Sequence, residues 1–436
     1  MSYHYKVESN KKAVVSFNRN FWILFWGKIV SQLGEGIFNI ALPWYILNAT
    51  ASATAMSTYY IIGNITCGLV LFLFGKMIDR WKKEKIMYAT DYIRGIYILF
   101  LLFMVIVDLP YKFLWIYLGA VITYICAGLF NPASMSILPS ILEEEKLTKA
   151  NSLLAVVDNT IAILGLAVGV AVYEALGIHL VFLITGVAYI ISAITEMFIH
   201  PSRMVKLEKV LQKSGTRAGI QYLLQNKKIL FIIVFALVWN YIYISIYSIY
   251  IPYMFNVVFK TTLAAVAVIQ IAMSLGLLLG AALALKFNIK EKLYSNLTKV
   301  VIIQFPVFSL LPLIVLLHGT VLPSSFFLVG FFAALFFILG ITVAMVNVNI
   351  SVILQTETKS EFLGRIYSLK SLGSMISMSA GLFLGGIIIE NMPVVIAFLI
   401  NSILFAGLTA FMINEFLRKP EEIEQQDNIN LQKAKI

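Results

Sequence analysis

Twelve long apolar runs separated by short polar intervals take up most of this chain, near residues 20–47, 53–76, 86–107, 112–140, 150–176, 179–199, 228–254, 262–285, 298–317, 323–354, 365–389 and 393–417. About 20 apolar residues in a helix cross the hydrocarbon core of a bilayer, and each run reaches or exceeds that length. In lipid the backbone must satisfy its own hydrogen bonds, and none of the runs alternates as a barrel strand would, so helices are expected. The run at 323–354 is long enough to tilt or to continue beyond the membrane. Composition agrees: 13% of the 436 residues are charged, against about 25% in soluble domains. Cys67 and Cys126, the two cysteines, both lie in apolar runs, which leaves no disulfide framework or Cys-rich metal site. The first twenty residues are polar and lack a signal-peptide core, so the run from Phe21 is expected to remain as an uncleaved span.

A net charge of +11 raises the question of nucleic acid, which placement answers. The positive residues form no basic stripe interleaved with aromatics. They gather in the polar intervals, as in Lys82, Lys83 and Lys85, or Lys286, Lys290 and Lys292. With both termini cytoplasmic, alternating spans put every Lys and Arg inside except Lys112 and Lys260, outside, and Lys28 and Arg94, within helices. The polar interval at 201–227 divides the chain into halves, giving a cytoplasmic segment 1–19, a six-helix bundle 20–200, a linker 201–227, a second bundle 228–417 and a cytoplasmic tail 418–436. The linker is expected to hold a short amphipathic helix and a Gly-interrupted turn. LPSILEEEKLTKANSLLAVV before the fifth run faintly echoes LQTETKSEFLGRIYSLKSLG before the eleventh. Duplicated halves suggest alternating access around a central site.

Gly75, Asp79 and Arg80 close the second run, in GKMIDRWKKEK. Physically this is a gate latch, with a small residue for close contact and a carboxylate free to pair or cap; an ordinary positive-inside loop is the alternative. The segment resembles the cytoplasmic loop motif between the second and third helices of the major facilitator superfamily. FWILFWGKIVSQLGEGIFNIALPWYILNATASATAMS at the start, DYIRG at 91–95, NPASMSILPSILEEEKLTKANSL at 131–153 and GRIYSLKSLGS at 364–374 resemble the macrolide-efflux branch of its proton-coupled drug exporters. The resemblance implies an all-α polytopic membrane protein with twelve transmembrane helices in two pseudo-symmetric six-helix bundles. It implies that Asp79 and Arg80 steady one conformation, with Asp91 and Arg94 as an adjoining charge pair. ILGLAVGVAV, around Gly165 and Gly169, is similar to the exporter motif of small residues with a proline, but Leu166 stands at the proline position. That departure weakens the expectation of a kink, while the glycines still permit close packing.

Charges inside the runs are the other informative residues. Glu35 sits deep in the first run, and Lys28 lies seven residues earlier on about the same face. A carboxylate there must face protein or a water-filled cavity; proton or cation coupling, substrate contact and a structural polar contact are all open to it. Asp158, inside the fifth run, is either a second protonatable group or a helix contact. Glu196, near the inner end of the sixth, is expected to snorkel toward the interface. Glu174 and Glu390, near outer helix ends, need no coupling role. His179, His200 and His318 show no metal-ligand spacing.

Trp239, Asn240, Tyr243, Tyr247 and Tyr250 crowd the seventh run, the last three at i, i+4 and i+7. That face can line a cavity for an amphipathic substrate or simply pack and anchor. No P-loop, Rossmann glycine cluster or HExxH is present, so neither covalent chemistry nor ATP hydrolysis is expected. The resulting expectation is secondary active efflux by proton antiport, in the cell membrane of a bacterium, by a protein functioning as a monomer. Its partners are a small amphipathic substrate such as a macrolide, protons and membrane lipid, with no nucleic acid, cofactor or metal. Lysophospholipid, siderophore or peptide transport is the alternative on the same fold, and a non-transporting receptor or scaffold the alternative of another class.

Overall fold

The computed structural model describes residues 17–78, 81–201, 216–284, 293–317 and 325–416. These are helical nearly throughout, with no strand among the described residues. The first half comprises α1 (Arg19–Thr50), α2 (Ala53–Ile78), α3 (Lys83–Val107), α4 (Lys112–Ile141) and α5 (Glu144–Glu196). α6 (Thr216–Gln225) follows, then α7 (Lys227–Ile244), which runs through a π-helical stretch at Ser245–Tyr250, α8 (Ile251–Tyr253) and a second π-helical stretch at Met254–Val258. α9 (Leu263–Ala284), α10 (Leu293–Leu317), α11 (Ser325–Glu357), α12 (Ser360–Asn391) and α13 (Val394–Phe416) complete the second half.

α5 contains both the fifth and the sixth expected spans. Its helical bonding continues through Gly177, where φ is 73° and ψ −175°, and the chain reverses there. Only glycine adopts that backbone conformation without strain. Ten helices among the described residues are long and apolar enough to cross a membrane. That set includes α5 as one element and omits α1, which carries Lys28 and Glu35. Dividing α5 at Gly177 and adding α1 gives the twelve expected segments.

Small residues set the distances between helices. α1 lies along α5, and a Cβ on Gly165 would sit 2.8 Å from the Cα of Gly36. One on Gly169 would fall 3.0 Å from the Cα of Ile37. The pair of backbones therefore touches directly, the arrangement that drives helix association where lipid is as apolar as leucine. α3 packs on α4 and α5, α2 on α4, α9 on α11, and α10 on α13, while α2 against α12 and α5 against α9 join the halves. α6, inside the expected linker, covers the start of α12: Tyr222 stacks on Phe362 with centroids 4.3 Å apart, and its hydroxyl accepts the Lys359 N–H at 3.1 Å.

Pro252 accounts for the wide turns after α7. It lacks the N–H that the Ser248 carbonyl would receive in an α-helix, and the ladder on either side opens to i→i+5 bonds, from Ile251 to Ile246 and from Phe259 to Met254. Such bulges recur at functional sites, and Ser248 and Pro252 both line a cavity between the halves.

Candidate functional site: a polar cavity between the two halves

Glu35 opens onto a cavity of about 220 Å3 lined also by Asn39, Tyr59, Arg94, Tyr124 and Asn131. Its side chain is 40% exposed, and one carboxylate oxygen lies 3.8 Å from the guanidinium of Arg94, which is 3% exposed. Arg94 is fixed from several sides. It donates to Asp91 at 2.8 Å and to the Tyr189 hydroxyl at 3.2 Å, and its guanidinium sits over the rings of Tyr189 and Phe130 at 4.6 and 4.9 Å. Asp91 and Arg94 are one helical turn apart on α3, so both sit on the face that α3 turns toward α5. A buried cation so tightly held leaves Glu35 as the member of the group exposed to a solute.

A second cavity of about 270 Å3 adjoins the first through Asn39 and Tyr124 and reaches the second half at Tyr247, Ser248, Pro252 and Gln270. Trp239, Tyr243 and Tyr247 form one continuous stack, with centroids 5.5 and 5.4 Å apart and nearly parallel rings. Of the aromatic face on the seventh run, Tyr247 is the residue that lines the cavity. Trp239 is buried and donates to Gln304 at 3.0 Å, while Tyr243 lies against the sulfur of Met273. Tyr250 is fully buried edge-on to Phe398, and Asn240 donates to Ser374 at 3.1 Å. The i, i+4, i+7 face is thus divided along its length, with Trp239 and Tyr250 in the packing of the second half.

Lys28 is directed away from Glu35. It pairs with Asp158 at 2.8 Å, joining α1 to α5, with side-chain exposures of 13% and 43%. Gly75 lies on α2, and Asp79 and Arg80 are outside the described residues. Glu196 differs from its expected position at the interface. It is fully buried, because its stem turns toward α1 at Gly27, where the missing Cβ leaves room. Sequence reasoning also passed over Asn39, Tyr124 and Gln270. A signal was present for Asn39, which follows Glu35 by one turn, and for the burial of Glu196, which ends a polar stripe of Tyr189, Ser192 and Glu196 in an otherwise apolar run.

Hydrogen bonds also cross between the halves at the end where α1 turns into α2. Glu390, in the last turn of α12, accepts from the Ser52 hydroxyl at 3.0 Å and from the Thr54 N–H at 2.8 Å. Glu174, just before Gly177, accepts from the Ala264 N–H at 2.9 Å in the first turn of α9. Each carboxylate thereby caps the positive end of a helix in the opposite half.

Comparison with known proteins agrees with this architecture. A family model described as the Major Facilitator Superfamily matches residues 24–335. Macrolide efflux protein A of Streptococcus pyogenes is 23% identical over 403 residues, covering 91% of this chain and 96% of that protein. The putative bacilysin exporter BacE of Bacillus subtilis (strain 168) is 25% identical over 423 residues, covering 92% and 97%. Among solved structures, a bacterial homologue of the iron transporter ferroportin in its inward-facing state superposes with a TM-score of 0.69 at 17% identity, over 91% of this chain and all of that one. With a family match spanning most of the chain and the same fold in a solved transporter, this multi-pass membrane protein belongs to the major facilitator superfamily.

Proposed function

We propose that the protein is a secondary active exporter that moves small amphipathic compounds out of a bacterial cell in exchange for protons, by alternating access of its two halves. The observation that carries this reading is Glu35, a partly exposed carboxylate in a first-half cavity that adjoins the one between the halves, 3.8 Å from a buried arginine. A carboxylate so placed can bind either a proton or a cationic group, and the competition between them is what exchange requires. The lining suits an amphipathic solute: aromatic faces from Tyr124 and Tyr247, amides from Asn39 and Gln270, and one acid. The names of the two relatives, a macrolide efflux protein and a putative bacilysin exporter, support the direction, and the first supports the macrolide class. With the orientation that the positive charges favour, the end joined through Glu174 and Glu390 faces outside, and the termini lie in the cytoplasm. Only a ligand that binds the two arrangements unequally can drive the exchange, and a proton on Glu35 meets that condition where the water and solute reaching its cavity differ between them. No step makes or breaks a covalent bond in the solute.

The test is reconstitution into liposomes with an inward-directed proton gradient, screening a macrolide, a cationic dye and a lysophospholipid in wild type and Glu35→Gln. Gradient-driven efflux of the macrolide or the dye is expected in wild type and not in the variant. Equal, gradient-dependent efflux in both would remove Glu35 from coupling, and gradient-independent movement of the lysophospholipid alone would replace this reading.

A further inference from the structure

The buried group behind Arg94 contains more acid than its cations balance. Glu196 is 0% exposed, and neither of its carboxylate oxygens has a hydrogen-bond partner. Asp91, Arg94 and Ser192 are its neighbours. Asp91 Oδ2 is likewise buried and unpartnered, and the Ser192 hydroxyl lies beside both acids. Arg94 is already committed to Asp91 at 2.8 Å. Among the described residues no cation forms an ion pair with Glu196: of the groups on the packed helices, α1 brings Glu35 and Lys28, the latter held by Asp158 at 2.8 Å; α4 brings Cys126; and α5 adds Tyr189. An ionised Glu196 would therefore be a second carboxylate beside one guanidinium, at a cost of several kcal/mol for a buried uncompensated charge.

One proton resolves both the charge and the hydrogen bonding. On Glu196 it makes Arg94, Asp91 and Glu196 neutral as a group. It also converts one orphaned oxygen into a donor facing Asp91 Oδ2, and leaves the Ser192 hydroxyl to donate to a remaining carboxylate oxygen. Paired carboxyls that share one proton follow the same logic, since two like charges in contact cannot both ionise.

We propose that Glu196 is a proton-binding site, a carboxylic acid that shares its proton with Asp91 and communicates with the cavity through Arg94. Arg94 stands between the two acids, 2.8 Å from Asp91 and 3.8 Å from Glu35. When the O–H bond of Glu196 breaks and the proton leaves to water, the new carboxylate competes with Glu35 for the charge of the guanidinium. Glu35 then loses part of its counter-charge and takes up a proton or a cationic solute more readily. The two sites are linked reciprocally, as two ligands sharing one responsive group must be. This consequence for transport rests on the exporter reading, whereas the protonated state of Glu196 stands apart from it.

Infrared difference spectroscopy on the purified full-length protein in lipid nanodiscs tests the proton directly. Wild type at neutral pH is expected to show a carboxylic-acid C=O band that shifts in D2O, shifts on 13C labelling of glutamate carboxyls, and disappears at alkaline pH. Glu196→Gln, which keeps the shape and a hydrogen-bond donor, should abolish the band, and Glu35→Gln should retain it. Absence of the band in wild type, its failure to respond to glutamate labelling, or its persistence in Glu196→Gln would overturn the proposal. So would a sodium-dependent rise in the melting temperature of wild type that Glu196→Gln loses, because the site would then hold a metal cation. The labelling arm needs no variant, so it decides the matter even if Glu196→Gln does not fold. In vesicles, Glu196→Gln should flatten the pH profile of macrolide efflux while exchange at equal pH persists. If wild type shows the band and no gradient-driven efflux, the exporter reading fails alone.

Discussion

Glu390 Oε2, at the end of α12, lies 2.8 Å from the backbone nitrogen of Thr54 at the start of α2 and accepts its N–H. The bond spans the two halves of the protein, and Glu174 makes its counterpart to Ala264 at 2.9 Å. α12 and the limb of α5 before Gly177 are the eleventh and fifth runs, the two whose approaches echo each other in sequence. The latches are thus a duplicated device, each using an acid at the end of one helix to cap another across the interface.

Removing the charge should loosen that end. Glu390→Gln and Glu174→Gln are each expected to cost about 1 kcal/mol of latch strength, roughly a fivefold shift toward the arrangement in which the ends separate. Spin labels placed across the α2 and α12 ends report the populations. A distance distribution identical to wild type in the double variant would show that apolar packing holds the end closed.

The ion pair of Lys28 and Asp158 is a different case, because its members are unequally buried. Asp158→Asn strands a mostly buried ammonium and should lower stability by about 1–2 kcal/mol, whereas Lys28→Met leaves a carboxylate that water reaches and should cost less. The double variant is expected to recover much of the loss. Melting temperatures in detergent measure all three proteins, and strictly additive effects would count against a direct pairing.

At the crossing of α1 and α5, Gly165→Ala places a methyl group 2.8 Å from the Cα of Gly36. Backbone cannot move aside as a side chain does, so a loss of roughly 1–3 kcal/mol is expected, with Gly36→Ala behaving alike. Thermal unfolding that matches wild type would mean the helices separate without penalty.

Within the aromatic stack, position should separate stability from recognition. Trp239→Ala removes a buried ring and leaves Gln304 without its donor, an expected loss of about 3–5 kcal/mol. Tyr247→Ala removes a cavity wall and should change KM for a macrolide or the range of transported dyes, with a smaller effect on melting temperature. If Tyr247→Ala altered only protein level, the residue would belong to packing alone.

The sequence by itself determined the solvent and the secondary structure. Apolar runs longer than a bilayer core, with positive charge concentrated in the intervals, admit little except a bundle of membrane helices. Spacing along one helix was equally legible: Asp91 and Arg94 pair because they are one turn apart, and Gly165 and Gly169 mark a packing face. What it left open concerned partners on different helices. Lys28 shares a face with Glu35, yet it pairs with Asp158 on α5, 130 residues away. Glu196 lies near a helix end, where long side chains normally reach water, and only the gap at Gly27 on α1 turns it inward beside Asp91. Glu174 and Glu390 looked like ordinary terminal charges until the fold set the start of another helix against each. One-dimensional spacing fixes neighbours on a single helix, where the geometry repeats every 3.6 residues. Which acid meets which cation across helices depends on how the helices cross, and tertiary packing alone decides that.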